Sequence, residues 1–258
     1  MAIRARVGEM SVVVCGTNQV LGWTAAHDFA AAVERELQNY DEISIIFATG
    51  NSQLSFLNAL RDLSLPWERI SAFHMDEYLG LPADHPASFR RFIREKISEP
   101  FHPKATYFIE GDAPDIDAEL ARYDGLLRRH APVICVLGVG ENGHLAFNDP
   151  PADFQTDRLI HVVTLDQVCR QQQVGEGHFP NFDSVPKQAI SLTVPALLRQ
   201  KYLFALVPET RKAKAIQAAL EGPVTENLPA SILRTQPQVT LYLDHDSAAL
   251  LRADTLMK

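Results

Sequence analysis

Cysteine is scarce in this chain. Its three cysteines, Cys15, Cys135 and Cys169, form no CxxC pair and no Cys/His spacing of the zinc type. A disulfide framework or a structural zinc is therefore not expected. Long apolar runs are missing too, since none approaches the roughly 20 residues that a spanning helix needs. Arg4 and Arg6 near the N-terminus are not followed by an apolar segment or a cleavage site, so no leader and no membrane partner are expected, and a cytoplasmic location is. Basic charge is in deficit: 24 Lys and Arg stand against 32 Asp and Glu, for a net −8. With no basic run and no basic-aromatic interleaving, nucleic acid is excluded as a partner. An anionic ligand would have to be held by a local cluster rather than by the overall field. Neither a P-loop nor a GxGxxG stretch occurs. Linkers, repeats and low-complexity tracts are also absent, which favours a single domain over residues 1–258.

What the chain does have is alternation. Apolar runs at 12–15, 43–48, 70–75, 132–137, 159–164, 189–193, 202–207 and 239–243 read as strands. Between them lie segments with apolar residues every three or four positions, such as Trp23, Ala26, Phe29, Val33 and Leu37, and further helical patterns at 89–97, 118–129 and 211–220. This order predicts an α/β fold: a Rossmann-like three-layer domain with a mostly parallel sheet and helices on both faces. Ligands in such folds bind beyond the carboxyl ends of the strands.

Four strand ends carry chemistry-bearing residues. The run 132–137 passes into GVGENGHLAFNDP at 138–150, where Gly138, Gly140 and Gly143 allow close backbone approach and His144 can move protons near neutral pH. Glu141, Asn142 and Asp149 can orient or charge-balance that histidine, although a glycine-rich connection with a surface histidine would read the same way. Thr49, Gly50, Asn51 and Ser52 form a strand-to-helix turn suited to an anion, or equally an ordinary helix start. Asp76 and Glu77 follow another strand; in extended backbone they face opposite ways, so one could serve as a general base. Two solvated loop acids remain the alternative there. Last, Arg211 and Lys212 open a helix, where bases cost about 0.3–1 kcal/mol against the dipole unless an anion offsets it.

Taken together, ATGNS at 48–52, MDEYLGLPADHPASF at 75–89, GVGENGHLAFNDP at 138–150, SVPKQAISLTVPAL at 184–197 and TRKAKAIQAALEG at 210–222 resemble the glucosamine-6-phosphate deaminase/isomerase family, to which the 6-phosphogluconolactonases are more distantly related. The resemblance implies that glucosamine 6-phosphate and water become fructose 6-phosphate and ammonia. It further implies Asp76 as the base that moves a proton from C2 to C1, and His144 as the residue that opens the sugar ring, flanked by Asn142 and Asp149. Thr49, Gly50, Asn51, Ser52 and Lys212 match the family's phosphate contacts. No cofactor is implied and no metal, and no His/Cys set is expected to converge on zinc.

Departures from the family pattern accompany the match. Many members have Asp at the place of Asn142 and Glu at that of Asp149; asparagine cannot exchange a proton, so it can only hold His144. The family's phosphate arginine falls by counting on Gln173, and Arg170, about one helical turn earlier, is the expected replacement. Ala152, Leu159, His161 and Val162 occupy positions where effector-regulated members carry serine and basic residues, so allosteric activation by an amino sugar is not expected. A lactonase-like hydrolase, or a sugar-phosphate sensor without turnover, stays open as an alternative. The partner expected is a small sugar phosphate, and a homo-oligomer is possible.

Overall fold

The computed structural model describes residues 2–256; Met1, Met257 and Lys258, which the domain expectation also covers, lie outside the described residues. The chain begins with a hairpin, β1 (Ala2–Val7) and β2 (Met10–Cys15), followed by helix α1 (Asn18–Leu37) and strand β3 (Ile43–Phe47). After α2 (Leu54–Leu60) come β4 (Ile70–His74) and the short β5 (Asp76–Tyr78). Helix α3 (Phe89–Ile93) runs on through a π-helical stretch, Arg94–Ser98, into α4 (Glu99–Phe101). Next are β6 (Ala105–Tyr107), α5 (Ile116–His130) and β7 (Ile134–Leu137). The last third holds β8 (Ile160–Thr164), α6 (Gln167–Gly175), β9 (Gln188–Leu192), α7 (Val194–Leu198), β10 (Tyr202–Val207), α8 (Ala213–Glu221) and β11 (Val239–Asp244).

Eight strands make one sheet in the order β1-β2-β11-β10-β7-β3-β4-β6, parallel throughout except for the β1–β2 hairpin. Both faces are covered, as a parallel sheet requires. The alternation of side chains along each strand sorts the core into two layers. Ile134 and Val136 of β7 join α1 and α2 on one face, through Leu21, Phe29, Phe56 and Leu60. Cys135 and Leu137 of the same strand pack on the other, with Tyr123 and Leu127 of α5 and Ile216 and Leu220 of α8. This is the three-layer α/β arrangement that the alternation predicted.

Helix ends follow their caps. Thr17 accepts from the Val20 N–H at 3.2 Å to start α1, and Asp115 accepts from Ala118 at 2.9 Å to start α5. Acids fill the first turn of α5 (Asp117, Glu119) and bases its last (Arg128, Arg129, His130), which matches the helix dipole.

Two strands are placed differently from the sequence expectation. β8 and β9 do not join the parallel sheet; they form a separate antiparallel sheet with β5, in the order β5-β9-β8. Their apolar content alone could not tell one sheet from another, because burial under either gives the same pattern. β1, β5 and β6 were not anticipated. Each is short or half-exposed, and pairing rather than hydrophobicity makes it a strand.

Helices α1 and α2 cross at Gly22, where an added Cβ would lie 2.4 Å from the carbonyl carbon of Ser55 and 2.6 Å from its oxygen. Gly22→Ala is therefore expected to cost about 1–3 kcal/mol through overpacking. A urea or thermal melt would register that loss, and an unchanged midpoint would mean that the two helices part freely.

Candidate active site

The chain runs from β3 out to β4 and β6 on one side, then returns to β7 beside β3 and continues to β10 and β11 on the other. The sheet order thus reverses between β3 and β7, and a cleft opens beyond their carboxyl ends, as the topology dictates. It encloses about 620 Å³ of open space and is walled by the ends of β3, β4, β7 and β10 together with α6 and its following turn.

From β3 come Thr49, Gly50, Asn51 and Ser52, all four on the cleft wall. Gly50 has φ +98°, a conformation that side chains rarely adopt, and the chain then turns through Asn51–Gln53 into α2. From β10 comes Lys212, only 4% exposed, which has no ion-pair partner among the described residues. Burial pushes its ammonium down from the ordinary lysine range. Arg211 beside it is occupied by Glu209 and Glu176, at 2.6 and 2.7 Å, and by Glu141 at 3.3 Å.

From the end of β4 the chain enters β5, and the two acids diverge as extended backbone requires. Asp76 faces the cleft, and its Oδ1 is buried without a hydrogen-bond partner. Burial, with the nearby charge of Glu77 added, lifts its carboxyl well above the usual range. Glu77 turns the other way, fully buried, and accepts from the Ser88 hydroxyl, from the backbone of Tyr78, Phe89 and Arg90, and from the Arg90 guanidinium. His74 is locked behind Asp76: Nε2 accepts the Ile109 N–H at 2.9 Å, so Nδ1 carries the proton and donates to the Asp76 carbonyl at 2.9 Å. Burial lowers its pKa to about 3, so this histidine is neutral.

From β7 comes the glycine loop. His144 folds back over Gly140 so tightly that a Cβ there would lie 2.3–2.4 Å from its ring atoms. Its Nδ1 lies 3.1 Å from Asp149 Oδ1, a close contact rather than an aligned hydrogen bond, which leaves Nε2 for the cleft. Asn142 and Asp149 do not reach the cleft; they stand behind the ring. The Asn142 Oδ1 accepts the His144 N–H at 3.0 Å, and its amide donates to Asp149 Oδ1 and to Asp166 Oδ2, both at 2.9 Å. Asp149 Oδ2 accepts the Asp166 N–H at 2.9 Å. Burial works to raise the Asp149 carboxyl, but the His144 ring, the Asn142 amide and that N–H outweigh it and hold it below the usual carboxylate range.

Arg170 is not brought to the cleft. Its guanidinium stacks 3.9 Å over the Phe182 ring and donates to the carbonyls of Phe182 and Val185. Three residues along a helix is a rise of about 4.5 Å, and the carbonyls of Phe182 and Val185 capture the side chain there. Gln173 holds the cleft position instead, with its Oε1 taken by the Tyr78 hydroxyl at 2.7 Å, so that its amide N–H groups are what it can offer.

Sequence reasoning missed three further residues. His178 and Glu176 line the cleft, paired at 3.2 Å, and the hydrogen bond from His178 together with the charges of Arg211 and Lys212 draws Glu176 down to about 2 against its burial. Only the polar density of QQQVGEGH could have flagged them. The third is Cys169, whose sulfur lies with donor atoms of His144 and Asp149 in a group all within 4.8 Å of one another. The proximity arises because α6 returns a residue 25 positions after His144 to its back.

The profile of the family described as glucosamine-6-phosphate isomerases/6-phosphogluconolactonase matches residues 16–242. The chain belongs to this family. It is 34% identical over 236 residues to a protein of Streptococcus pneumoniae named glucosamine-6-phosphate deaminase, covering 91% of this chain and 96% of that one. Among solved structures, a monomeric glucosamine-6-phosphate deaminase superposes with a TM-score of 0.84 at 31% identity, covering 93% of this chain and 99% of the other. A 6-phosphogluconolactonase of Thermotoga maritima, at 20% identity, TM-score 0.74 and coverage of 90% and 98%, shares the fold of this family member.

Asn142→Asp would set a third carboxylate where an amide now bridges two. The introduced acid would be held above its usual pKa, so folding would favour its protonated form. A loss of about 1–3 kcal/mol is expected above neutrality, shrinking as the pH falls through the carboxylate range. Melting curves at pH 5 and pH 8 check the sign, and an equal loss at both would remove the electrostatic account.

Proposed function

We propose that the protein is a glucosamine-6-phosphate deaminase, converting the amino-sugar phosphate and water to fructose 6-phosphate and ammonia. One observation carries the reading: a buried, partner-free carboxylate (Asp76), a histidine backed by an acid (His144 with Asp149), and a glycine turn with a buried lysine (Lys212) all border one cleft. The 34% identity to a protein of that name supports it.

Thr49, Gly50, Asn51 and Ser52 would hold the phosphate with Lys212, whose unpaired charge suits a dianion, and Gln173 would add amide donors. A phosphate fixed at one end positions C1 and C2 at the other. Nε2 of His144 takes the proton of the anomeric hydroxyl and passes it to the ring oxygen as the C1–O5 bond breaks. Asp149 steadies the imidazolium formed in between, and Asn142 holds both by hydrogen bonds. Asp76 then removes the proton from C2 and returns it to C1, and water cleaves the resulting C2 imine to release ammonia. A carboxyl lifted toward the working pH is matched to taking up a proton and giving it back.

All these residues come from one chain, so the reading needs no second subunit. A phosphorylated substrate also fits a cytoplasmic location. We read residues 1–258 as a single domain, because the eight-stranded sheet carries both hydrophobic layers.

The test is a coupled assay of ammonia and fructose 6-phosphate from glucosamine 6-phosphate, beside the galacto epimer and 6-phosphogluconolactone. Equal release of both products from the gluco substrate is expected; lactone hydrolysis alone would reassign the protein. Asp76→Asn should lower kcat by at least about 10²–10⁴-fold with sugar-phosphate binding nearly unchanged. A carboxyl held above its normal pKa costs folding energy once it must ionise. The same variant should therefore be more stable than the wild type at neutral pH, with the gain fading on acidification, as paired thermal melts would report.

A further inference from the structure

We propose that His144 Nδ1, the Asp149 carboxylate and Cys169 Sγ form a binding site for a thiophilic divalent cation of the zinc type, and that filling it switches turnover off. The inference rests on the deaminase reading only for its effect on turnover; the binding itself does not depend on it. One donor atom from each of the three residues lies within 4.8 Å of the others, and Nδ1 is the imidazole nitrogen that faces Asp149. Independently, Nδ1 of His144 is buried and lacks an aligned hydrogen bond, in a residue only 8% exposed.

Zinc bonds of about 2.0–2.1 Å to nitrogen and oxygen and about 2.3 Å to sulfur put tetrahedral donors roughly 3.3–3.8 Å apart. The Nδ1–Oδ1 separation of 3.1 Å is already close to that range. One nitrogen, one oxygen and one sulfur suit zinc or cobalt, whereas magnesium and calcium demand mostly oxygen. Asn142 and the Asp166 N–H already hold the Asp149 carboxylate from behind, as outer partners of a metal ligand usually do. Cys169 is fixed by its place in the first turn of α6, where Asp166 Oδ1 caps its N–H at 2.5 Å.

Charge and protons balance simply. The Cys169 thiol, which burial and the nearby carboxylates of Asp149 and Asp166 hold protonated, gives up its proton only as the sulfur bonds the cation, and the displaced proton leaves with the metal's shed water. The imidazole binds through the Nδ1 lone pair, which requires the ring's one proton to sit on Nε2. Nε2 then presents an N–H to the cleft and cannot take the anomeric proton, so ring opening stops.

The test uses metal-free full-length protein dialysed against zinc, with cobalt(II) as a spectroscopic probe. One equivalent of zinc per chain is expected, with a thiolate-to-cobalt charge-transfer band. Turnover should fall as zinc binds and return with EDTA, while magnesium leaves it unchanged. Cys169→Ser and Cys169→Ala should keep their metal-free turnover, lose the band and bind zinc more than about 100-fold more weakly, beyond the range for losing an outer partner. Either variant, once its melting curve shows it folded, suffices. Zinc bound equally well by them, or a wild type without the thiolate band, overturns the site whatever the substrate proves to be. Zinc bound at Cys169 with turnover untouched overturns the switch.

Discussion

The pairing of β3 with β7 is the contact on which the cleft depends. It sets Phe47 opposite Val136 and is extended by the Ala48 N–H donating to the Val136 carbonyl at 2.9 Å. Two chain segments some 90 residues apart thus end side by side and pointing the same way. One continues into the turn at Thr49–Ser52, the other into the glycine loop, and a Cβ on Gly138 would already stand 3.1 Å from the Ser52 hydroxyl. A shift of one residue in this register would turn every side chain of a strand to the opposite layer. The two buried layers therefore enforce the alignment of the two strand ends at the cleft.

The cleft is also a place where charge is kept out of water on purpose, each group by a different device. Glu77 pairs with Arg90, and the acid also takes two backbone N–H groups at the start of α3 and that of Tyr78 in β5, so this pair anchors the strand that presents Asp76. Asp76 itself has no such company. A buried carboxylate without donors is costly, and the structure around it, from the neutral His74 clamp to the Glu77 anchor, holds it there regardless. Strained electrostatics of that kind is common where a group must exchange protons.

Behind His144 a neutral amide does work that an acid could not. With two donors and one acceptor in use, Asn142 ties the histidine backbone, Asp149 and Asp166 together. Asp166 in turn caps α6, the helix that carries Gln173 and Glu176 to the cleft. The glycine loop and the helix at the cleft wall therefore share one polar anchor. The same closeness puts Cys169 beside His144 and Asp149.

Local order was legible in the sequence because it is local physics. Alternating strand and helix patterns specified an α/β sheet, and the residues at four strand ends, Thr49–Ser52, Asp76, His144 and Lys212, were candidates by type, which the family resemblance then singled out. Their meeting in one cleft followed from the rule that parallel strands present their carboxyl ends together. Other features are set by contacts distant in sequence, which no spacing encodes. β8 and β9 left the main sheet because β5 offered them an antiparallel partner. Arg170 turned from the cleft because the carbonyls of Phe182 and Val185 were nearer, leaving the wall to Gln173 and His178. Cys169 came to His144 only because α6 packs behind the glycine loop. Residue types and their periodicity are properties of the chain alone, whereas which polar group finds which partner is decided when the elements pack.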